Sequence, residues 1–466
     1  MENLPEGRSA DNRVVVDFAM HELVAVLRRA MRTRKRCGES FEKYENEALR
    51  LSNEAVRRLL EAELQERADQ LGEEVLIEGA AFRRHQPGLV AYHSLCGAVS
   101  VTRFTYREVG VRNGPTCVPL EMESGMVERA TPALASAVGR GYADRTSRAL
   151  EEDLRAAARV PPSRSTIERM AVEIGTQAKA AVCRIEPRLR RCERLPKGAR
   201  ALTMGLDRTT VPMLEPSGGT DKFEVKYRMA YVATVCITDR ETEALQTRRY
   251  AAPAHEGPHQ ILSRVEADLQ HALKQKPQLR IAVVQDGAPE LWGLMWELLD
   301  RMGIKRRRRV ERIDRYHATQ HLSGALDALK ISDPIKTRTL DRWKELLNKR
   351  NGAIHRINAE IEELRRRLPE TARRAAAQHA TYLLINSPRL RYATLRKLGI
   401  PQGSGVTEGA CKSLITTRTK RSGQKWSKHG IESVLALRSI VHSDRWPGFW
   451  RSFAKSRQVE IKPIRA

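Results

Sequence analysis

Three acidic residues in the second half of the chain stand in contexts that suit metal-dependent chemistry. Asp207 lies within the apolar stretch TMGLDRTTVPM, Asp286 ends the apolar run IAVVQD, and Glu408 follows the turn GSGVT in the first turn of a predicted helix. In α/β proteins ligands bind at the carboxyl ends of strands, and a helix N-terminus stabilises an anionic side chain. We therefore expect the three carboxylates to form one metal site.

Phosphodiester chemistry needs such a set of hard oxygen ligands. Mg²⁺ keeps several of its waters, so one or two carboxylates suffice for each ion. Two ions per site, Mg²⁺ or Mn²⁺, about 3.5 to 4 Å apart would activate the attacking oxygen and stabilise the leaving oxygen. Taken singly, each acid also fits a turn former or a salt-bridge partner, and Glu408 also fits a residue that complements the helix dipole. The conjunction of all three with a basic C-terminal region favours the metal site.

The basic residues are concentrated in the last third of the chain. The 466 residues include 83 Lys and Arg against 57 Asp and Glu, a net charge of +26, of which residues 301–466 carry +24. Such a field indicates a polyanionic partner, nucleic acid above all, and a solvated basic face without a dedicated partner is the alternative. The first 300 residues would need a local basic face, such as residues 28–36, to bind DNA. The residues predicted to contact DNA are Lys305, Arg306, Arg307, Arg308, Arg309, Lys412, Arg418, Lys420, Arg421 and Lys425.

Composition and cysteine usage exclude several classes of protein. With 41% hydrophobic and 30% charged residues, the chain has no stretch near the ~18 apolar residues of a membrane span. The seven cysteines form no CxxC pair, and the first ten residues lack the apolar segment of a secretory signal. We expect a soluble cytoplasmic protein with reduced thiols, associated with the nucleoid of a bacterium and not with a membrane. The pairs His93/Cys96 and His317/His321 lack a second pair, so no zinc site is expected.

The N-terminal part is predicted to be mainly helical. Residues 15–71 have a helical pattern, and a β-hairpin is predicted around Cys96 and Gly97. Residues 131–178 give three short helices, the third starting at Ser163 or Ser165. This arrangement is similar to a helix-turn-helix, although any small helical bundle has the same pattern. A basic stretch with Pro and Gly, residues 188–200, is predicted as a domain boundary.

The pattern changes to strands after residue 199. The predicted order is three strands, a helix, a strand, a helix and a strand, with the first strand interrupted at Asp207. That order favours an α/β fold with an RNase H-like mixed sheet, some other α/β sheet being the alternative. Residues 333–397 are helical again, and a last helix follows GSG. The predicted organisation is an N-terminal region, 1–125; a helix-turn-helix-like DNA-binding region and linker, 126–198; the first part of the catalytic core, 199–321; a helical insertion, 322–400; and the C-terminal core helix with a basic tail, 401–466.

Several motifs resemble those of ISKra-type insertion-sequence transposases, members of the RNase H-like DDE superfamily. They are MGLDRTTV, VVQDGAPELW, RIDRYHATQHL and GIPQGSGVTEGACKSLI, followed by QKWSKHGIESVLALRSIVHSDRWPGFW. The resemblance covers residues 200–466 well and the N-terminal region loosely. It implies that Asp207, Asp286 and Glu408 are the catalytic triad and the metal ligands, with residues 322–400 accounting for the long interval before Glu408.

The resemblance also bears on accessory and DNA-binding residues. Asp314 and His317 match a motif that related families carry after the fifth strand, where the pair would orient the metal site or DNA. A turn aspartate and a helix-capping histidine are the alternative. Some related families hold the transposon end with a Lys or Arg two turns after the glutamate, but this chain has Ile415 there. The substitutes that remain are Lys412, Arg418 and Lys420.

The sequence therefore predicts a DNA transposase that hydrolyses phosphodiester bonds at element ends and directs the freed 3′-OH into target DNA. The expected partners are double-stranded DNA, as terminal inverted repeats and as target, and a second copy or more of the chain. One alternative is a non-catalytic, domesticated DNA-binding protein. The other is an RNase H-like nuclease without strand transfer.

Overall fold

The computed structural model describes residues 40–217, 222–366, 368–395 and 398–464, with a few positions between 21 and 29. Most of the helix predicted before residue 40, and most of the basic face over residues 28–36, lie outside these described residues. The chain divides into two compact units. We call residues 1–182 with 447–466 the N-terminal unit, and residues 183–446 the core unit.

The N-terminal unit contains an antiparallel sheet beside a long helix. Helix α1 (Phe41–Gln70) packs on strand β3 (Gly97–Glu108), and Ser40 caps the first turn of the helix. The strand order is β10-β1-β2-β3-β4. The β2–β3 pairing confirms the predicted hairpin, whereas β1, β4 and β10 were not predicted because such short segments show no alternation. The elements are α1 (Phe41–Gln70), β1 (Glu74–Ile77), β2 (Ala80–Ser94), β3 (Gly97–Glu108), β4 (Thr116–Cys117), α2 (Pro119–Glu123) and β10 (Ile461–Pro463).

Three helices follow, as predicted: α3 (Pro132–Asp144), α4 (Ser147–Ala156) and α5 (Arg164–Cys192). The Ser163 hydroxyl accepts a hydrogen bond from the Thr166 N–H at 3.4 Å, which confirms the predicted start of the third helix. The predicted end of that helix is wrong. Helix α5 continues through Pro187 into the stretch that was expected to be a linker. It does so because buried residues at helical spacing, including Ala178 and Ile185, continue the apolar face.

The core unit is built on a mixed sheet whose strands were predicted closely. The strand order is β7-β6-β5-β8-β9; β5, β6 and β7 are antiparallel, and β8 and β9 run parallel to β5. This order and these directions are those of an RNase H-like sheet, so the predicted fold class is confirmed. The elements are β5 (Ala201–Pro216), β6 (Phe223–Thr238), β7 (Ala244–Ala252), α6 (His259–Gln275), β8 (Arg280–Gln285), α7 (Pro289–Arg301) and β9 (Arg309–Ile313).

Helices complete the core unit. Between β9 and Glu408 lie α8 (Arg315–Ala328), α9 (Asp333–Lys349), α10 (Ala353–Arg365) and α11 (Glu370–Ile385). Their buried apolar residues, such as Trp343, Ile357 and Leu383, join the same hydrophobic core as the sheet. The helical insertion is therefore part of the core and not a separate lobe. The remaining helices are α12 (Gly405–Ala410), a π-helical turn (Cys411–Thr416), α13 (Thr417–Thr419), α14 (Lys428–Val441) and α15 (Trp446–Arg457).

Candidate active site

The sheet register aligns three aspartates, of which Asp207 lies within β5, while Asp286 and Asp314 follow the carboxyl ends of the parallel strands β8 and β9. Met204 on β5 pairs with Val283 on β8, so Asp207 stands level with Asp286, just beyond the end of β8. Gln285 pairs with Ile313 on β9, so Asp286 in turn stands level with Asp314. Neighbouring strands lie about 4.8 Å apart, which puts the three residues in one row. Contrary to expectation, β5 is not interrupted at Asp207 but continues to Pro216 in unbroken pairing with β6.

Helix α12 packs on the same face of the sheet and carries Glu408. A Cβ at Gly205 would collide with the Thr407 hydroxyl and lie 2.8 Å from the Val284 carbonyl oxygen, so only glycine allows this close approach. The Thr407 hydroxyl is hydrogen-bonded to the Thr234 hydroxyl at 2.7 Å. Asp207 is two residues from Gly205 and therefore faces the same helix. Thr407, the residue next to Glu408, thus holds α12 against β5, the strand that carries Asp207.

Asp314 is buried and its carboxylate accepts three backbone hydrogen bonds. Oδ1 accepts from the N–H groups of Tyr316 at 2.6 Å and His317 at 3.1 Å, which caps α8. Oδ2 accepts from the N–H of Ser404. Asp314 therefore ties the start of α8 to the turn that precedes Glu408. This is the geometry of a positioning residue that sets where His317 and Glu408 stand.

His317 and Glu408 meet at the site. His317 Nε2 lies 3.6 Å from Glu408 Oε1, which also accepts a hydrogen bond from the Ser404 hydroxyl at 3.2 Å. Possible ligand atoms of Asp314, His317 and Glu408 all lie within 4.8 Å of one another. Asp314 already accepts three backbone hydrogen bonds, so Glu408 and His317 are the members of this group with the most remaining capacity to bind a ligand.

Burial and the proximity of other carboxylates raise the pKa values of two acidic residues at the site. Burial raises the pKa of Asp286 above its ordinary value, and the nearby Asp207 carboxylate raises it further. Burial likewise raises the pKa of Glu408, and the charge of Asp314 adds to the shift. The Ala288 N–H donates to Asp286 Oδ1 at 3.0 Å, but this hydrogen bond does not offset burial. A bound cation would remove the penalty on both groups.

The donor set fits a hard divalent cation. Asp286 Oδ2 and Glu408 Oε2 have no hydrogen-bond partner among the described residues, and each belongs to a half-buried carboxylate. Carboxylate oxygens are the ligands that Mg²⁺ and Mn²⁺ prefer. Asp207 Oδ1 accepts a hydrogen bond from the N–H of the next residue, Arg208, at 2.7 Å. Among the described residues, the group of possible ligand atoms within 4.8 Å of one another at this site does not include Asp207 or Asp286, so the triad of Asp207, Asp286 and Glu408 stays a prediction.

Cys411 is a site residue that the sequence did not predict. Its buried thiol donates to Asp207 Oδ2 at 3.1 Å. Burial raises the pKa of the thiol well above its usual range, and the charges of Asp207 and Glu408 raise it further. The available signal was its position three residues after Glu408, because residues at that spacing share one helix face. Cys411 therefore connects the helix of Glu408 to the strand of Asp207.

Tyr382 is a second unpredicted neighbour of the site, and it comes from the helical insertion. A Cβ at Gly287 would collide with the Tyr382 ring, so glycine after Asp286 admits this tyrosine. The ring stacks on His321 with centroids 3.5 Å apart, and His321 Nδ1 lies 3.1 Å from His379 Nδ1. Burial and the charge of His379 lower the pKa of His321 to about 4, so this stack is uncharged at neutral pH. It joins α8 and α11 beside Asp286.

Two of the residues predicted to contact DNA have buried guanidinium groups. Arg309 has a fully buried side chain that pairs with Asp300 and Glu311, each at 2.9 Å. Arg418 is 2% exposed and stacks over Trp426, with 4.9 Å between its Cζ and the ring centroid. Neither group can reach a phosphate in this conformation. The exposed predicted residues are Lys305, Arg306, Arg307, Arg308, Lys412, Lys420, Arg421 and Lys425.

The exposed cations do not all lie beside the carboxylates. The run from Lys305 to Arg308 precedes the amino end of β9, whereas Asp314 follows its carboxyl end. Five residues of strand separate these ends by about 17 Å. Lys420 does lie near the site, because its ammonium donates to the Thr209 hydroxyl at 2.9 Å, two residues after Asp207. Arg208 is also close and forms an ion pair with Glu290.

Comparisons with known proteins give distant similarities. No family model matches the chain. A Streptococcus gallolyticus protein described as "UPF0236 protein in vanSb 3'region" is 24% identical over 145 residues, which are 30% of this chain and 29% of that protein. The chain thus matches less than a third of this curated relative's length.

Two solved structures are also similar to the chain. The Drosophila P element transposase strand transfer complex matches 70% of this chain and 81% of its own, with 11% identity and a TM-score of 0.25. The Mos1 transposase paired-end complex with left transposon end matches 51% and 75%, with 14% identity and a TM-score of 0.16. The strand order and strand directions of the core unit, and not these two similarities, define its fold as RNase H-like.

Two further features of the described residues concern membrane spans and cysteines. Within the described part of the chain, no helix has the length and apolar character needed to cross a membrane. None of the six cysteines in that part is joined to another of them by a disulfide.

Proposed function

We propose that this protein is a metal-dependent DNA transposase of the DDE superfamily, of the ISKra type that its motifs resemble. The observation that carries the proposal is the register of the core sheet. Asp207 and Asp286 stand level on adjacent parallel strands, and Glu408 lies on the helix that Gly205 admits to the same strand. Two of these three carboxylates have raised pKa values, so their negative charges destabilise the folded chain when no cation is bound. A bound cation would remove this cost, and the carboxylates would be its ligands.

Each residue of the site has a definable task. Asp207, Asp286 and Glu408 would hold Mg²⁺ or Mn²⁺, which would supply activation of the attacking oxygen and stabilisation of the leaving oxygen. Asp314 positions His317 and Glu408 through its backbone hydrogen bonds. Because Lys420 stands at the rim of the site, it is suited to bind a phosphate of the DNA backbone.

The substrate follows from the charge and the chemistry. The excess of positive charge in residues 301–466 suits a DNA duplex, and the exposed cations Lys412, Lys420, Arg421 and Lys425 follow Glu408 directly in the chain. Hydrolysis at element ends would leave a 3′-OH, which the same site would direct against target DNA. A nuclease that lacks strand transfer would give the first product without the second.

The experiment is a cleavage and strand-transfer assay on a DNA duplex that carries the inverted repeats flanking the gene. Asp207→Asn, Asp286→Asn and Glu408→Gln should each abolish Mg²⁺-dependent cleavage while DNA binding is retained. Glu241→Gln, in the exposed turn between β6 and β7, is the matched control and should cleave normally. Cleavage by Asp286→Asn at the wild-type rate would refute the metal site. Binding without cleavage by the wild-type chain would favour the non-catalytic alternative.

A further inference from the structure

The β5–β6 hairpin extends beyond the core sheet as a two-stranded arm. Strand β7 pairs with β6 only from Tyr231 onwards, and β8 pairs with β5 only up to Met204. After Ala252, β7 is followed by Pro253, which has no N–H to continue the ladder. Over Phe223–Ala230, no described strand pairs with the edge of β6 that faces away from β5. An unpaired edge of this kind is a template for another strand.

One face of this arm is apolar and exposed. On β6, the side chains at alternate positions are Phe223, Val225 and Tyr227, which are 67%, 37% and 68% exposed. Their cross-strand partners on β5 include Leu214, opposite Val225, and Pro216, opposite Phe223. A contiguous apolar patch on a strand with an open edge indicates a binding surface.

The charged residues of the arm argue against DNA as its partner. Lys226 pairs with Glu224 at 2.7 Å, and Arg228 pairs with Glu215 at 2.6 Å. The described arm holds two acidic residues against three basic residues, a net charge of only +1, in a chain whose net charge is +26. A surface that binds phosphates needs a larger excess of positive charge than this one carries.

We infer that the edge of β6 pairs antiparallel with the same edge of a second copy of this chain, centred on Val225. In this register Glu224 lies opposite the partner's Lys226, and Lys226 lies opposite the partner's Glu224. Phe223 lies opposite the partner's Tyr227 on the apolar face, twice by symmetry. Opposite charges and aromatic pairs facing each other across strands stabilise a sheet. The segment is therefore complementary to itself, as an isologous interface requires.

The ends of the pairing are consistent with this register. Lys222 and the partner's Arg228 fall just outside the five paired residues, and Arg228 is neutralised by Glu215 in its own chain. The segment from Phe223 to Ala230 contains no proline, so every backbone N–H that points away from β5 is available for the new ladder. The pairing would join the two arms into one four-stranded sheet.

Charge reversal tests the register directly. The full chain, freed of DNA and metal, should be a dimer by sedimentation equilibrium at about 10 μM, an ordinary concentration for such an interface. Glu224→Lys or Lys226→Glu alone places like charges opposite each other, so each should raise the dimer dissociation constant about tenfold. The double reversal Glu224→Lys/Lys226→Glu should restore it. A mixture of the two single variants should form the heterodimer in preference to either homodimer.

The apolar face gives a second measurement. Phe223→Ser/Tyr227→Ser should produce monomers, whereas Leu89→Ser, an exposed leucine on β2 of the N-terminal unit, should leave the dimer unchanged. A wild-type chain that is monomeric at this concentration, or a double reversal that fails to restore the dimer, would overturn the inference. Reduced DNA affinity of the serine variants with no change in mass would assign the face to DNA instead. The assay uses no DNA cleavage, so it succeeds or fails independently of the proposed function.

Discussion

Asp207 stands level with Asp286 because β5 and β8 are parallel and pair Met204 with Val283, three residues earlier on each strand. The two carboxylates belong to segments that are far apart in the chain, and the sheet register brings them together. Burial first, and then the charge of Asp207, raises the pKa of Asp286. Without a cation this arrangement costs stability, and that cost can be measured.

Replacing Asp286 by Asn should stabilise the metal-free protein. A carboxyl whose pKa is higher in the folded than in the unfolded state binds more protons when folded, so the wild type loses stability as pH rises through that window. The window begins near pH 4, the ordinary pKa of aspartate. The melting temperature of Asp286→Asn should therefore exceed that of the wild type at pH 7 in EDTA, and the difference should vanish below about pH 4.

Mg²⁺ or Mn²⁺ should reverse this order. A ligand that binds only the folded state raises its stability, so millimolar metal should raise the melting temperature of the wild type and not that of Asp286→Asn. Glu241→Gln should respond as the wild type does. Equal responses of wild type and Asp286→Asn would show that the metal binds elsewhere.

Cys411 should resist alkylation. The thiolate is the reactive form of cysteine, and burial beside Asp207 keeps this thiol protonated. With iodoacetamide at pH 8, mass spectrometry should show that the exposed Cys183 and Cys192 react well before Cys411. In urea the three residues should react at similar rates, which controls for local sequence.

The hydrogen bond from Cys411 should also matter for metal affinity. Residues that orient a metal ligand typically contribute 10- to 100-fold to affinity. Cys411→Ser keeps a donor toward Asp207, so it should bind Mn²⁺ like the wild type, whereas Cys411→Ala should bind about tenfold more weakly by calorimetry. If the two variants bind alike, the hydrogen bond to Asp207 has no role in holding the ligand.

Replacing Gly205 by Ala should separate α12 from the sheet. The new Cβ would press on the Thr407 hydroxyl and on the Val284 carbonyl, 2.8 Å away, so overpacking should cost about 1–3 kcal/mol in urea unfolding. Cleavage should fall because Glu408 is displaced. Gly293→Ala on α7 meets no atom within 4 Å and should be neutral or stabilise by about 0.5–1 kcal/mol. Wild-type stability and activity for Gly205→Ala would contradict this account of the helix position.

Arg445 should contribute more to stability than an exposed arginine does. Its side chain is 2% exposed and pairs with Glu193 at 2.8 Å and with Asp268 at 2.9 Å. Removing one partner of a buried ion pair leaves an uncompensated charge, so Arg445→Met should lower the free energy of unfolding by about 3–5 kcal/mol. Arg50→Ala, which breaks an exposed pair with Glu47 on α1, should cost less than about 1 kcal/mol. A loss of similar size in both variants would contradict this prediction.

The same cluster of ion pairs makes the stability of the fold depend on pH. Burial alone would raise the pKa of Asp268, but Arg445 and Arg190 outweigh it and the pKa lies below its ordinary value. A lowered folded-state pKa contributes stability above the unfolded value and loses it as pH falls. Wild-type stability in urea should therefore decline below about pH 4, and Arg445→Met should decline less steeply.

The strands of the core unit were predictable because their residues alternate or form apolar runs bounded by turn residues. Asp286 could be located at the end of such a run, and Glu408 at the start of a helix, from the chain alone. Tyr382 could not be predicted as a site residue, because nothing local says which side chain meets Gly287. Cys411 offered only its spacing from Glu408, which does not show that its thiol meets Asp207. The burial of Arg309 and Arg418 was equally unpredictable, since a guanidinium in a basic run looks the same whether it meets a carboxylate or solvent.

The sequence by itself determined the order of elements and the types of residue available for metal-dependent chemistry. Tertiary structure decided which residues share a site, because the parallel register aligns Asp207 with Asp286 and the missing Cβ of Gly205 lets α12 approach. It also decided that the Asp314 carboxylate accepts hydrogen bonds from backbone N–H groups. The cations from Lys305 to Arg308 lie at the opposite end of β9 from the site. Pattern and propensity act over a few residues, whereas the contacts that build the site join residues far apart in the chain, such as Asp207 and Asp286 (79 positions) or Gly205 and Thr407 (202 positions), and arise only when the sheet is assembled.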